Sequence, residues 1–193
     1  TGVWRMAKQN ALVKRLQAVE TLGQARVIAV DKTGTITQNE IVVQKIYTNG
    51  TMFDVGGIGY APSGDIRFGE EVIEPLDHPE LLLLGKLSAF SANARVEFLK
   101  EQNVWRVSGD PTEAAMLVLA EKIGFKKIDL EAESPRRAEI SFDYGTKYHA
   151  VLHTVENRNL LAVAGAPEVV LAFCSFVSNQ GKIYPQYSRA RSA

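Results

Sequence analysis

The pattern of apolar and polar positions predicts short strands and helices along the whole chain of 193 residues. Its most informative stretch runs from Val27 to Val30, where β-branched residues prevail, and ends at Asp31 before a polar turn around Gly34. Such a run predicts a buried strand that carries a carboxylate at its C-terminal end. Because ligands in open α/β sheets lie at the carboxyl ends of the strands, we expect Asp31 to lie in a crevice where chemistry takes place.

Before this strand, apolar residues at helical spacing predict an amphipathic helix with basic residues on its other face. The apolar positions are Met6, Leu12, Val13, Leu16 and Val19, and the basic positions are Lys8, Lys14 and Arg15. The pattern is compatible both with ordinary core packing and with a helix that connects the domain to a membrane-spanning part.

From residue 41 onward the pattern predicts mixed strands and helices. Residues 41–47 and 51–55 are predicted strands that join in a hairpin at Asn49-Gly50. The glycines and prolines of residues 56–64 are typical of a surface loop, and residues 104–107 form another predicted strand.

Two helices of this region have clear N-terminal signals. The first is predicted over residues 79–94, with Asp77 as its cap. The second begins after Asp110, which takes the N-cap position before Pro111, while Glu113 is expected to reach back to the Asp110 amide. This capping role explains Glu113 completely in structural terms, and a binding role can coexist with it.

The C-terminal part of the chain predicts a strand at residues 139–142 and a hairpin formed by residues 147–154 and 160–164. Within the hairpin, His149 and His153 fall on one face. Two histidines at this spacing need further ligands to hold a metal, and none lies nearby in sequence, so we expect no metal there.

Composition narrows the classes of partner. Lysine plus arginine and aspartate plus glutamate number 22 each, so the formal net charge is +0 and no bulk attraction to nucleic acid or an anionic membrane is expected. The single cysteine, Cys174, excludes an internal disulfide and fits a reducing compartment. The strongest apolar run, at residues 81–84, is far too short to span a membrane, so a soluble piece of a larger protein is expected.

The heptad from Asp31 to Thr37 reads Asp-Lys-Thr-Gly-Thr-Ile-Thr, and it resembles the phosphorylation motif of P-type ATPases, the ion-pumping branch of the haloacid dehalogenase superfamily. The resemblance implies that Asp31 attacks the γ-phosphate of ATP and becomes an aspartyl phosphate. It also places Lys32, Thr33 and Thr35 in the catalytic segment. Asp31 and the Thr33 carbonyl would then be Mg²⁺ ligands, and Thr35 a phosphate contact.

Thr33 supports an inference of its own. Soluble phosphatases of that superfamily generally carry a second aspartate at this position as general acid and base. A threonine cannot abstract a proton from water near neutral pH, so an acyl phosphate on Asp31 is expected to be hydrolysed slowly. A long-lived phosphoenzyme suits an ion pump better than it suits a phosphatase.

Three further motifs resemble the nucleotide-binding segment of the same family. They are Gly109-Asp-Pro-Thr-Glu113, the spacing from Phe142 to Lys147, and Gly165-Ala-Pro-Glu168. The resemblance implies that the adenine of ATP stacks on an aromatic face with an ammonium and a carboxylate alongside. The implied nucleotide-binding residues are Glu113, Phe142, Lys147, Gly165 and Ala166. The family usually carries a lysine where this chain has Ala164, which predicts weak ATP binding.

These motifs together predict two domains. Residues 1–39 are expected to form the N-terminal part of a phosphorylation domain, an incomplete α/β fold of the haloacid dehalogenase type. Residues 40–193 are expected to form most of a nucleotide-binding domain, an α+β fold with an antiparallel sheet flanked by helices. Roughly 110 residues separate Asp31 from Phe142, too many for a loop in a compact domain, which favours such an inserted domain.

The intact protein is therefore predicted to be a type II P-type ATPase that uses ATP and Mg²⁺ to move a cation across a membrane. Expected partners are the transported cation, with Ca²⁺ favoured, and the transmembrane and actuator domains of the same pump, whereas nucleic acid is not expected. This piece should face the cytoplasm and bind nucleotide without turning it over. Two alternatives stay open: a soluble haloacid dehalogenase-type phosphatase and a non-catalytic nucleotide-binding module.

Overall fold

The computed structural model describes residues 2–15, 17–38, 40–179 and 182–186. The chain divides into two compact units, Thr1–Asn39 and Glu40–Ala193. The helices are α1 Gly2–Lys8, α2 Gln17–Gly23, α3 Pro79–Ser91, α4 Pro111–Ile123, α5 Lys127–Glu133 and α6 Pro167–Phe173, with a 3₁₀ turn at Pro75–Asp77. The strands are β1 Lys45–Thr48, β2 Thr51–Val55, β3 Ile66–Phe68, β4 Glu71–Ile73, β5 Arg95–Leu99, β6 Val104–Ser108, β7 Arg136–Ile140, β8 Tyr148–Val155, β9 Arg158–Gly165, β10 Phe176–Asn179 and β11 Lys182–Pro185.

The first unit contains two short helices in place of the single predicted amphipathic helix. Asn10 adopts the left-handed conformation with φ of 60°, and the Ala11 N–H donates to the Met6 carbonyl at 2.9 Å. A left-handed residue with such a bond is a common helix terminator, so α1 ends before the apolar positions that followed it in the prediction. Leu16, which belonged to that pattern, lies outside the described residues.

The predicted buried strand at residues 27–30 is also wrong. These residues form no strand, and Val27 and Ile28 are 84% and 82% exposed. A strand exists only where a neighbour takes up its N–H and C=O groups, and none of the described sheets includes this segment. The turn that was predicted to follow it does form, with Gly34 at a φ of 74°.

The second unit contains antiparallel sheets, as predicted. Its first sheet has the order β1-β2-β3-β4, and β1 and β2 join at Asn49 and Gly50, whose φ values of 55° and 76° fit the predicted tight hairpin. β1 begins at Lys45, four residues later than the predicted start at residue 41. Its partner strand β2 ends at Val55, and the next N–H group, that of Gly56, donates to the Asp65 carbonyl and not to the segment before β1.

Helices α3 and α4 cover one side of this sheet. Their contact is close at Gly85, where an added methyl group would lie 2.9 Å from Ile123 and from Phe125. The core joins side chains of β1, β2, β3, α3 and α4: Ile46, Phe53, Val55, Ile66, Leu81, Leu119 and Ile123.

Helix α3 begins at Pro79 as predicted, but its cap and its last residue differ from the prediction. Asp77 lies inside the 3₁₀ turn, and His78 takes the N-cap position without a side-chain capping bond to the helix N–H groups. The helix ends at Ser91, three residues before the predicted end at residue 94, because the chain turns there to begin β5 at Arg95.

The last large sheet has the order β7-β8-β9. The predicted hairpin is confirmed, with a shorter connection than residues 156–159: Glu156 and Asn157 alone form the turn, with φ values of 47° and 62°. His153 is fully buried on this sheet, and its two ring nitrogens lie 3.0 Å from the carbonyl oxygens of Ser134 and Phe90. A neutral imidazole has one ring N–H and can donate to only one of these carbonyls. The burial of His153 against Phe90 of α3 gives it a structural role where α3 meets the sheet.

Candidate functional site

The loop between β7 and β8 carries the first part of the candidate site. The Asp143 carboxylate accepts hydrogen bonds from the N–H groups of Gly145 at 2.8 Å and Thr146 at 3.1 Å, and the Lys147 N–H donates to the Asp143 carbonyl at 2.7 Å. An aspartate that caps its own following residues forms a rigid turn, which confirms the turn predicted here. Phe142 was predicted as the last residue of a strand, but β7 ends at Ile140, so Phe142 belongs to the loop.

Two aromatic rings form the open face of this loop. Phe142 is 48% exposed and Tyr144 is 90% exposed, and their ring centroids lie 5.4 Å apart at an interplanar angle of 86°. The edge-to-face arrangement leaves flat aromatic surface in contact with solvent. Sequence reasoning missed Tyr144, although a large aromatic residue between Asp143 and Gly145 in a polar turn is an unusual signal.

Lys147 lies at the end of the loop with its backbone fixed and its side chain largely exposed. Its φ of 58° is left-handed, and its carbonyl accepts a hydrogen bond from the Ala166 N–H at 2.9 Å. The ammonium group lies 3.9 Å from the Glu168 carboxylate, and the two side chains are 57% and 69% exposed. An ion pair this open to solvent contributes little, so an incoming anion can compete for the Lys147 ammonium.

Gly165 permits the close approach of β9 to Lys147. A methyl group on Gly165 would overlap the Lys147 carbonyl oxygen and lie 2.6 Å from the Cα and Cβ atoms of Tyr148. Ala166, the next residue, precedes Pro167, which begins α6. The structure therefore brings Phe142, Lys147, Gly165 and Ala166 to one corner of the β7-β8-β9 sheet.

Glu113 lies elsewhere, at the start of α4. Asp110 caps this helix as predicted, since its carboxylate accepts from the N–H groups of Thr112 at 2.8 Å and Glu113 at 3.1 Å. The predicted return bond from Glu113 to Asp110 is wrong: the Glu113 carboxylate accepts from the Asn93 N–H at 2.7 Å. The end of α3 leaves the Asn93 amide without a helical acceptor, and Glu113 satisfies it.

A polar network then connects Glu113 to the β7-β8-β9 sheet. The Asn93 side chain accepts a hydrogen bond from Arg136 at the start of β7, and Arg136 pairs with Glu139 on the same strand. Beside this network lies a cleft of about 500 Å³ lined by both charge types, including Lys127 and Glu121. Burial lowers the pKa of Lys127 although Glu131 opposes the shift, and burial raises the pKa of Glu121 although Lys126 opposes it.

The predicted catalytic segment lies in the first unit and forms a compact turn. The Lys32 carbonyl accepts hydrogen bonds from the N–H groups of Ile36 at 3.0 Å and Thr37 at 3.2 Å. The Gly34 N–H donates to the Thr37 hydroxyl at 3.3 Å. Asp31, Lys32, Thr33 and Thr35 are all exposed, so their side chains are accessible to a ligand.

Comparison with known proteins identifies the family. Residues 83–188 match the family model described as P-type ATPase, cytoplasmic domain N. This match covers more than half of the chain, and the chain belongs to the P-type ATPase family. No helix among the described residues has the length and apolar character needed to cross a membrane.

Several proteins similar to this chain are named as cation-transporting or calcium-transporting ATPases. The chain is 40% identical over 181 residues to cation-transporting ATPase pma1 of Synechocystis, a match that covers 90% of this chain and 19% of the relative. It is 37% identical to a calcium-transporting ATPase of Bacillus subtilis, covering 93% of the chain and 20% of the relative. It is 34% identical to calcium-transporting ATPase type 2C member 2 of Homo sapiens, covering 99% and 20%. The chain thus spans about a fifth of the length of these relatives.

Proposed function

We propose that this chain is the nucleotide-binding part of a cation-transporting P-type ATPase, and that it binds ATP at the corner formed by residues 142–147 and Gly165-Ala166. The observation that carries the proposal is the presence, on one rigid loop, of an open aromatic surface and an exposed ammonium whose ion pair with Glu168 is weak. Phe142 offers a face to a purine, and Lys147 offers charge to the phosphates.

Glu113 would contribute at the edge of this site and not at its centre. Its carboxylate is held by the Asn93 amide, and the network through Arg136 extends towards β7, whose chain continues into Phe142. A carboxylate fixed in this way can accept a hydrogen bond from an exocyclic amino group of the base.

The intact protein would transfer the γ-phosphoryl group of ATP to Asp31. A carboxylate oxygen of Asp31 would form the bond to the γ-phosphorus while the bond between that phosphorus and the β,γ-bridging oxygen breaks, and ADP would leave with the bonding electrons. Thr33 provides no base for hydrolysis, so the acyl phosphate would persist long enough to drive a conformational change. A cation, with Ca²⁺ favoured by the names of two relatives, would be the transported ion.

Mg²⁺ fits this segment in part. The Asp31 carboxylate and the Thr33 carbonyl are hard oxygen donors of the kind that Mg²⁺ prefers. Among the described residues, no group of three or more His, Cys, Asp or Glu side chains could hold a metal ion, so Asp31 and Thr33 would be a partial ligand set. The ion would neutralise charge on the transferring phosphoryl group.

Titration of the chain with ATP, followed by amide NMR signals near Phe142, tests nucleotide binding. We expect weak affinity, from high micromolar to millimolar, or about −4 to −6 kcal/mol, because the side chains that meet the ligand are exposed and Ala164 supplies no charge. Phe142→Leu should reduce the affinity several-fold. The matched control is Phe98→Leu, which changes a similarly exposed phenylalanine on β5 and should leave ATP binding unchanged.

Nanomolar affinity, no response to ATP, or equal effects of the two substitutions would contradict the assignment. The phosphorylation step is tested in the full-length protein, where Asp31→Asn should abolish acid-stable incorporation of phosphate from ATP. Retained labelling would exclude Asp31 as the acceptor, and hydrolysis of a chromogenic phosphate by the chain would favour a phosphatase instead.

A further inference from the structure

We propose that Lys127 and Arg136 are positioning residues, which fix the Glu113 carboxylate and through it the preference of the nucleotide site for a purine with a 6-amino group. The inference rests on the proposed function, because that function places Glu113 at the edge of the site. It begins with the connection of residues 92–94, which joins the end of α3 to the start of β5.

The polar groups of this connection are bound by three charged side chains from three separate elements. The Lys127 ammonium, on α5, donates to the Ala92 carbonyl. The Glu113 carboxylate, on α4, accepts from the Asn93 N–H at 2.7 Å. Arg136, on β7, donates to the side-chain oxygen of Asn93. Three elements therefore meet at one connection, and each contributes a charge-assisted hydrogen bond.

Helix termination explains only part of this arrangement. The last carbonyls of an α-helix have no partner within the helix, and a lysine near the C-terminus commonly binds them, so the Lys127 bond alone would be ordinary capping. The bonds of Glu113 and Arg136 go further, because both hold Asn93, one through its N–H and the other through its side chain. A movement of Asn93 would break both bonds, so Arg136 restrains the residue that holds the Glu113 carboxylate.

Packing limits the movement of the same connection. Ala92 and Ala94 are each 1% exposed. A methyl group added to Gly109 would lie 3.0 Å from the Ala94 Cα atom, so the chain after β6 lies directly against the connection. A carboxylate that is bound to a backbone held in this way has one preferred position.

The two cations are themselves held by acidic partners. Lys127 lies 3.7 Å from the Glu131 carboxylate, and Arg136 pairs with Glu139. Burial lowers the pKa of Lys127, and the Glu131 carboxylate opposes that shift. The Glu113 carboxylate also opposes it, whereas Arg136 adds to it. Glu113, Lys127 and Arg136 therefore lie within electrostatic range of one another, and loss of either cation changes the field at the Glu113 carboxylate.

The bond from Asn93 goes to Oε2 of Glu113, which leaves Oε1 as the oxygen that can meet a ligand. An ionised carboxylate offers acceptors and no donor. It can therefore bind the 6-amino group of adenine, whereas it repels the 6-oxo group of hypoxanthine, whose oxygen is also an acceptor. A hydrogen bond weakens steeply when its angle departs from linear, so this preference depends on the position of Oε1.

The test compares ATP with inosine triphosphate, which carries a 6-oxo group in place of the 6-amino group, by ligand-observed NMR with this chain. The unsubstituted chain should bind ATP about tenfold more tightly, the effect of about one hydrogen bond. Arg136→Met and Lys127→Met should each reduce this preference to about threefold or less, and Arg136→Lys should retain more of it than Arg136→Met. Both ligands are measured on the same sample, so any unfolded fraction affects both affinities equally and cancels in the ratio.

Arg137→Met and Lys126→Met are the matched controls. Arg137 is the next residue of β7 and donates to Thr154, and Lys126 is an exposed residue at the N-cap of α5. Both controls should leave the preference for ATP unchanged. A double substitution tests whether Arg136 acts through Glu113: Glu113→Ala should abolish the preference, and the addition of Arg136→Met should change it no further.

A preference that survives Arg136→Met or Lys127→Met, with normal ATP binding, would overturn the positioning role of that residue and leave the proposed function intact. An equal loss in the matched controls, or a further loss in the double substitution, would overturn it as well. Equal binding of the two nucleotides by the unsubstituted chain would exclude selection of the base through Glu113. Absence of ATP binding by the unsubstituted chain would remove the proposed function, and this inference with it.

Discussion

The close approach at Gly165 allows a quantitative prediction. Gly165→Ala would place a methyl group against the Lys147 carbonyl oxygen and 2.6 Å from the Cα and Cβ atoms of Tyr148. Most of these atoms belong to the backbone, so β8 and β9 would have to separate. Overpacking of this kind costs about 1–3 kcal/mol, and loss of the Ala166 bond to the Lys147 carbonyl adds about 1 kcal/mol. The substitution also restricts the unfolded chain, which offsets about 0.7 kcal/mol of this cost, so we expect a net loss of about 1–3 kcal/mol.

Equilibrium urea denaturation followed by far-UV circular dichroism measures this loss, and an ATP titration of the folded variant should show at least about tenfold weaker binding because Lys147 moves. Gly145→Ala is the matched control in the adjoining loop. Its added methyl group meets only the Asp143 carboxylate, at 3.0 Å, which is a side-chain atom that can move. We expect the control to lose less than about 1 kcal/mol. If Gly165→Ala unfolds at the same urea concentration as the unsubstituted chain, the strands are not as close as described and the argument for a fixed Lys147 fails.

Two further substitutions test other parts of the second unit. Asp110→Ala removes both side-chain bonds that cap α4 and should reduce the free energy of unfolding, measured by urea denaturation, by about 1 kcal/mol. Asp110→Asn should restore most of this loss. An alanine variant as stable as the unsubstituted chain would exclude the cap. Glu121→Gln tests pH dependence, because burial raises the pKa of Glu121 above its ordinary 4.5. As pH rises, the Glu121 carboxyl group loses its proton in the unfolded chain before it does so in the folded chain. The free energy of unfolding therefore falls between pH 4.5 and the raised pKa. Thermal unfolding should therefore show Glu121→Gln more stable than the unsubstituted chain at pH 7, by less than about 1 kcal/mol for this half-exposed group, and no difference below pH 4.

Features with a local signal were predictable from the sequence. The Asn49-Gly50 turn, the Asp110 cap and the Asp143 turn each depend on a side chain or φ value within a few residues, and all three are confirmed. Strands β1, β2, β6, β8 and β9, and part of β7, were also predicted, because their apolar runs are bounded by turn residues, whereas β3, β4, β5, β10 and β11 were not predicted.

Features that depend on distant residues were not predictable in the same way. The segment at residues 27–30 has the composition of a buried strand, but pairing decides whether a strand forms, and composition does not report the neighbour. The Asp110 N–H was a nearby predicted donor for the Glu113 carboxylate. That carboxylate instead accepts from the Asn93 N–H, which is 20 residues away in sequence. The buried Nε2 atom of His149 has no hydrogen-bond partner among the described residues, and this can be recognised only once the whole environment of β8 is known.

The candidate site combines a fixed backbone with free side chains, and this contrast predicts how substitutions will divide. The Lys147 backbone is fixed by two hydrogen bonds, one from its N–H to the Asp143 carbonyl and one from the Ala166 N–H to its own carbonyl. The absence of a side chain at Gly165 allows β9 to approach this backbone closely. The Lys147 ammonium is mostly exposed and pairs only loosely with Glu168. Removal of that ammonium should therefore weaken ATP binding without changing stability, whereas a change at Gly165 should reduce both. A stability loss from Lys147→Met as large as that from Gly165→Ala would mean that the side chain, and not the backbone, holds the corner together.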